Sequence, residues 1–172
     1  IPWGTISTPN TFLNAAQTLT VSTNASSGYT VKISESDQMG LNGATCTGST
    51  PGADGYTFGS SKCIRDTICD SGNCSEAVTG EWNVATNNGL GYSLASVSAN
   101  PAAVFYYGES SRSFSARQIA DQQNSEIKQN IMTSGVPVST DSVRVCFRIS
   151  VSGIQPAGYY YNKVQYTATA TF

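Results

Sequence analysis

Residues 143–172 carry the most regular alternation of apolar and polar positions in the chain. In the first run Val143, Val145, Phe147, Ile149 and Val151 share one face, and Arg144, Cys146, Arg148 and Ser150 share the other. In the last run Tyr160, Val164, Tyr166, Ala168, Ala170 and Phe172 fall together, opposite Lys163, Gln165, Thr167, Thr169 and Thr171. Asn162 is the polar exception on that apolar face. A period of two predicts strands with one buried and one wet face. Between the runs Pro156 fixes its φ, and Gly153 and Gly158 can take positive φ, which is the chemistry of a turn. The two strands are expected to pair as a β-hairpin.

The same reading extends upstream. Residues 1–6 form a short apolar leader in which Pro2 lacks a donor, so an edge strand or extended arm is expected. Residues 18–23 and 29–34 alternate, with Leu19, Val21, Tyr29, Val31 and Ile33 facing in, and Asn24-Ala-Ser-Ser-Gly28 between them reads as a hairpin loop. Residues 36–80 lose periodicity and are rich in Gly, Ser, Asp and Cys. A loop that long inside a compact domain is functional or stapled. Short strands follow at 81–85 and 89–95, the second with Leu90, Tyr92 and Leu94 in phase. Residues 102–107 form a continuous apolar run expected to be a central strand, and 113–119 alternate weakly. Residues 120–132 fit a strand or irregular structure; the helical spacing of Ile127 and Ile131 is a single pair. The expected fold class is all-β: a single antiparallel β-sandwich, immunoglobulin-like or jelly-roll-like, with a disulfide-stapled long loop. Residues 1–16 are the N-terminal extended arm, a candidate donor strand. Residues 17–172 are the β-sandwich domain, with the Cys-rich insertion at about 36–80. No internal repeat or second domain is visible.

Composition narrows the function. Charged residues make up 12% of the chain, against roughly 25% in ordinary globular proteins. Ser, Thr, Asn, Gly and Tyr take their place, a palette that favours strands and turns over helices. The net charge is −2 with no basic run, which argues against nucleic-acid binding because neutralising phosphates needs clustered Lys and Arg. No stretch approaches the roughly 20 apolar residues that span a bilayer. Five cysteines suit an oxidising compartment, and the start at Ile1 fits a removed signal peptide. A secreted or surface-displayed protein is expected.

There is no histidine, so the commonest general base, nucleophile partner and metal ligand is missing. Glu35, Asp37, Asp66, Asp70, Glu76, Glu81, Glu109 and Asp121 show no spacing that pairs two of them across a cleft, and they read as scattered surface carboxylates. No catalytic residue, metal site or cofactor is expected. Cys46, Cys63, Cys69 and Cys74 are spaced for disulfides, not for zinc knuckles. Cys146 is the candidate for an unpaired or interchain thiol, although it shares a face with Arg144 and Arg148, where the long loop could fold over and pair with it. Asp66, Asp70, Asn73 and Glu76 gather oxygen ligands in one loop, as calcium would want, but their order does not match an EF-hand and an ordinary polar loop is the preferred reading. Asn24 and Asn73 lie in glycosylation sequons.

Tyr106, Tyr107, Tyr159, Tyr160 and Tyr161 suit core or inter-subunit packing, or a platform for sugar stacking. Gln-Pro-Ala-Gly-Tyr159, followed by Gln165-Tyr-Thr-Ala-Thr-Ala-Thr-Phe172, resembles the closing hairpin of secreted prokaryotic β-sandwich surface proteins of the pilin-like, filament-subunit kind. The pair Leu19-Thr-Val-Ser-Thr-Asn24 and Gly28-Tyr-Thr-Val-Lys-Ile33 is similar to their opening hairpin. Together these cover about a third of the chain and leave out its cysteine-rich middle. The resemblance implies a structural subunit of an extracellular filament (a pilus-like fibre) or surface layer. Identical copies would assemble by strand addition, with Ile1, Trp3 and Ile6 of the arm as anchors. The arm could equally lie on the edge of its own domain. The alternative is a monomeric surface adhesin or carbohydrate-binding module whose partners are host or environmental glycans.

Overall fold

The computed structural model describes residues 1–46, 62–96 and 114–172. The chain is all-β, and among these residues there is no helix. In chain order the strands are β1 (Leu13–Thr23), β2 (Tyr29–Glu35), β3 (Met39–Leu41), β4 (Cys63–Ile64), β5 (Gly80–Glu81), β6 (Gly89–Ser96), β7 (Ser115–Ala116), β8 (Gln129–Ser134), β9 (Val138–Ser150), β10 (Tyr160–Tyr161) and β11 (Val164–Ala170). Two three-stranded antiparallel sheets dominate, ordered β1-β9-β6 and β11-β2-β8; a small β10-β3-β4 sheet and a β5-β7 pair accompany them.

Both main sheets feed one hydrophobic core. It takes Tyr29, Val31 and Ile33 from β2, Leu90, Tyr92 and Leu94 from β6, Ile131 and Met132 from β8, and Val143, Val145, Phe147 and Ile149 from β9. The β9 alternation sets its phase, since a slip of one residue would turn all four of its core side chains outward. At roughly 1.5–3 kcal/mol per buried large apolar side chain, no turn preference competes with that.

The expected pairing is corrected at both hairpins. β9 does not pair with β11: it lies between β1 and β6, in register Leu13↔Ile149 and Leu90↔Ile149. β11 instead pairs with β2, Tyr166 opposite Ile33. Nor do β1 and β2 form a hairpin, because they lie in different sheets. Alternation fixes which face a strand buries, not which neighbour it takes. Residues 24–28 and 151–163 carry the chain from one sheet to the other. At the first crossing Gly28 has φ +75°, and a Cβ there would lie 2.1 Å from the Ser134 carbonyl oxygen, so only glycine fits.

Other boundaries shift too. β1 begins at Leu13, four residues inside the expected arm. The strand expected over 81–85 stops at Glu81, because Asn83 and Val84 donate their N–H groups to the Asp70 carboxylate, at 2.7 and 3.1 Å, instead of to a ladder. Among the described residues of 113–119, only Ser115–Ala116 is strand. Residues 120–128 are a turn and irregular segment, and 129–132 are the first part of β8. The run at 102–107, with Tyr106 and Tyr107, and Glu109 lie outside the described residues.

Candidate functional site

A cleft of about 1390 Å³ opens between the sheets. Its floor is the core itself, at Met39, Ile64, Leu90, Phe147 and Ile149; Gln17 of β1 and Val164 and Tyr166 of β11 form walls. The Gln17 side-chain amide donates to the Tyr166 hydroxyl and ties the two walls together. Burial pushes the Tyr166 hydroxyl up to about 12, against the lowering effect of the Gln17 contact. Residues 1–6 and Pro9 line the same cleft.

The arm lies over this floor without being a strand. Trp3 and Ile6 are half-buried and pack against the core, whereas Ile1 is 51% exposed. Within residues 1–10 the only main-chain hydrogen bond among the described residues runs from Asn10 N–H to the Val151 carbonyl, 2.9 Å. The Asn10 side chain accepts from Asn88 Nδ2 at 2.9 Å and fixes the base of the arm. Pro2 fits this unladdered state, having no donor to satisfy.

β11 is an edge strand. Its apolar face was expected to be buried throughout, and only its first half is covered: Val164 and Tyr166 are half-buried, Ala168 and Ala170 are exposed, and Phe172 beyond the strand is 88% exposed. Strands covering one face usually bury apolar positions along their whole length, so this bare stretch marks an incomplete layer.

The tyrosine triplet divides by phase. Tyr160 points inward, donating to the Pro156 carbonyl at 2.7 Å and accepting from Gln155 Nε2 at 3.0 Å. Tyr159 and Tyr161 face out at the cleft mouth, 70% and 49% exposed, with ring centroids 5.5 Å apart. Asp37 is the one carboxylate among the cleft's lining residues, and its oxygens are taken by the N–H groups of Gln38 and Cys46, at 2.8 and 2.9 Å.

The acidic residues are not all on the surface. Glu35, Asp66 and Asp121 are buried, which corrects the scattered-surface reading. Glu35 accepts from Asn162 Nδ2, which explains the polar exception on the β11 side. Asp66 accepts from the Ile119 N–H at 2.6 Å. Burial first, and then the Asp66 and Asp121 charges, hold the Glu35 carboxyl well above the usual range; burial raises Asp66 and Asp121 as well. One signal could have found Glu35, since it continues the inward phase of Tyr29, Val31 and Ile33.

The cysteines form Cys46–Cys63 and Cys69–Cys74, and Cys146 is a free, half-buried thiol. The part of the long loop that carries Cys69 and Cys74 packs on the side of Cys146, but these two cysteines pair with each other, as Cys46 and Cys63 do. There Cys69, Cys74, Trp82, Phe114 and Ala116 make a second buried cluster, with Phe12 and Cys146 against it. Arg148 lies 4.4 Å over the Phe12 ring and 3.8 Å over the Phe114 ring, and donates to the Trp82 carbonyl at 2.7 Å. Sequence reasoning missed this cluster; an arginine at a mid-strand position, with Trp82 just beyond the stapled segment, was its only trace.

The four oxygen ligands at 66–76 do different work. Asp66 faces Ile119, Asp70 holds residues 83–87, Asn73 accepts from Ser71, and Glu76 is half-buried. Among the described residues no group of three or more His, Cys, Asp or Glu is arranged to hold a metal ion. Asn24 and Asn73 are both exposed. No helix among the described residues is long and apolar enough to cross a membrane. Compared with protein-family models, curated proteins and solved structures, the chain has no significant match to any of them.

Proposed function

We propose that the chain is a structural subunit of an extracellular filament or surface layer, in which residues 1–7 of one copy add as a strand to the next. One observation carries this reading. An apolar segment without ladder hydrogen bonds lies over a cleft floored by the domain core, beside an edge strand whose apolar face is half bare. Strand addition would supply those main-chain bonds and cover that face, with apolar side chains setting register. Such a contact is head-to-tail and does not close, so it propagates into a fibre. The low charge density lets identical copies approach closely. Two disulfides support a place outside the cell. On this reading the chain is no enzyme, and its buried carboxyls serve the core.

Negative-stain electron microscopy of the protein, before and after boiling in detergent, tests the proposal. Uniform, detergent-resistant fibres that disappear when residues 1–7 are deleted are expected. Single particles at every concentration would refute it.

A second reading, a monomeric adhesin or carbohydrate-binding module, draws on the outward Tyr159 and Tyr161 at the cleft mouth. It predicts glycan binding that Tyr159→Ala and Tyr161→Ala abolish and deletion of residues 1–7 preserves.

A further inference from the structure

We infer that Gly4 is a hinge that holds residues 1–7 docked on their own cleft, withholding the arm from a neighbouring copy; the inference rests on the strand-addition reading. Spacing is the starting point. A strand places residues i and i+2 on one face, so an extended arm would group Ile1, Trp3 and Thr5 and turn Ile6 away. Here Trp3 and Ile6, three residues apart, both pack against the core, while Ile1 stays largely exposed. The two side chains reach one surface because the chain turns between them at Gly4, φ +69°. The docked arm and a donated strand are therefore two different conformations of the same residues. They compete for Trp3.

The energetics of the two forms separate at Gly4. A Cβ at this position would meet nothing within 4 Å, so a side chain there is opposed by the left-handed backbone alone. An extended strand imposes no such penalty, because its φ suits any L-residue. A substitution at Gly4 thus weakens the docked form and spares the extended one. The docked arm also forgoes ladder hydrogen bonds that a donated strand would make. Reach is sufficient: nine extended residues before Asn10 span about 30 Å, and a seven-residue strand such as β11 about 23 Å.

The test uses the full chain carrying Gly4→Ala, held at low concentration, with acrylamide quenching of Trp3 as the readout. Trp82 is fully buried and gives the unquenched background, and a Trp3→Phe chain measures it. Gly72→Ala is the matched control, since Gly72 has φ +73° and equally empty surroundings far along the chain. Gly4→Ala should raise the released-arm population roughly fivefold, which at RT is the ~1 kcal/mol cost of a left-handed alanine. Seeded fibre growth should accelerate by a similar factor. Gly72→Ala should change neither. Unchanged Trp3 quenching in Gly4→Ala, or equal effects from both variants, would overturn the hinge. Increased quenching with no fibres at any concentration would leave the hinge standing and remove the filament reading.

Discussion

Replacing Glu35 with Gln should flatten the dependence of stability on pH. Glu35 is 1% exposed, accepts one hydrogen bond from Asn162, and has no partner for Oε1 among the described residues. Asp66 is similarly buried, with Oδ1 unpartnered among the described residues. Burial, reinforced for Glu35 by the Asp66 and Asp121 charges, raises both carboxyls well above their ordinary values of 4.5 and 3.8. The folded chain therefore keeps protons that the unfolded chain releases. Stability is fully present below those ordinary values and falls as pH rises above them, until the folded carboxyls themselves ionise. Each retained proton is worth about 1.4 kcal/mol per pH unit for as long as the folded carboxyl keeps it. Glutamine keeps an oxygen for Asn162 and carries no charge at any pH. Urea unfolding followed by tryptophan fluorescence at fixed ionic strength, across pH 5 to 8, provides the comparison. Glu35→Gln should lose less stability over that range, by up to about 1.4 kcal/mol per pH unit, at an unchanged m value. Parallel curves for the two proteins, or a wild type that gains stability as pH rises through this window, would refute the reasoning.

The disulfides should differ in weight. Cys46–Cys63 spans 17 residues and Cys69–Cys74 spans 5, so chain entropy gives about 3 and about 2 kcal/mol; paired Cys→Ala variants compared by urea unfolding check the order. Arg148→Lys keeps the charge but loses the planar stack between Phe12 and Phe114, and should cost about 1–2 kcal/mol in the same assay. The Cys146 thiol is raised by burial, with Arg144 opposing. Maleimide should label it slowly in the native protein and fully in urea, and rapid native labelling would contradict its placement.

Local faces were legible in the sequence, and partnerships were not. The inward phases of β2, β6 and β9 could be read directly because burial of Val, Ile, Leu and Phe dictates a period of two. The hairpins failed because Gly153, Pro156 and Gly158 promise a turn without specifying whether it closes a hairpin or crosses to the other sheet. Glu35 was misread since a carboxylate is assigned to water by default, although its phase placed it inward. Arg148 and Trp82 lie far apart in sequence and meet through a loop whose path no local pattern encodes. The arm's apolar residues were visible, but their spacing of three over a left-handed Gly4 depends on tertiary contacts with the cleft.

Delivery of the arm in trans tests the central claim most directly. The chain lacking residues 1–7 is mixed with a synthetic peptide of residues 1–7, and Trp3 emission is followed against concentration. The account predicts saturable binding with a blue shift as Trp3 enters the cleft, and competition by the peptide with fibre growth of the full chain. A truncated chain that folds, fails to bind the peptide and still forms fibres would contradict it.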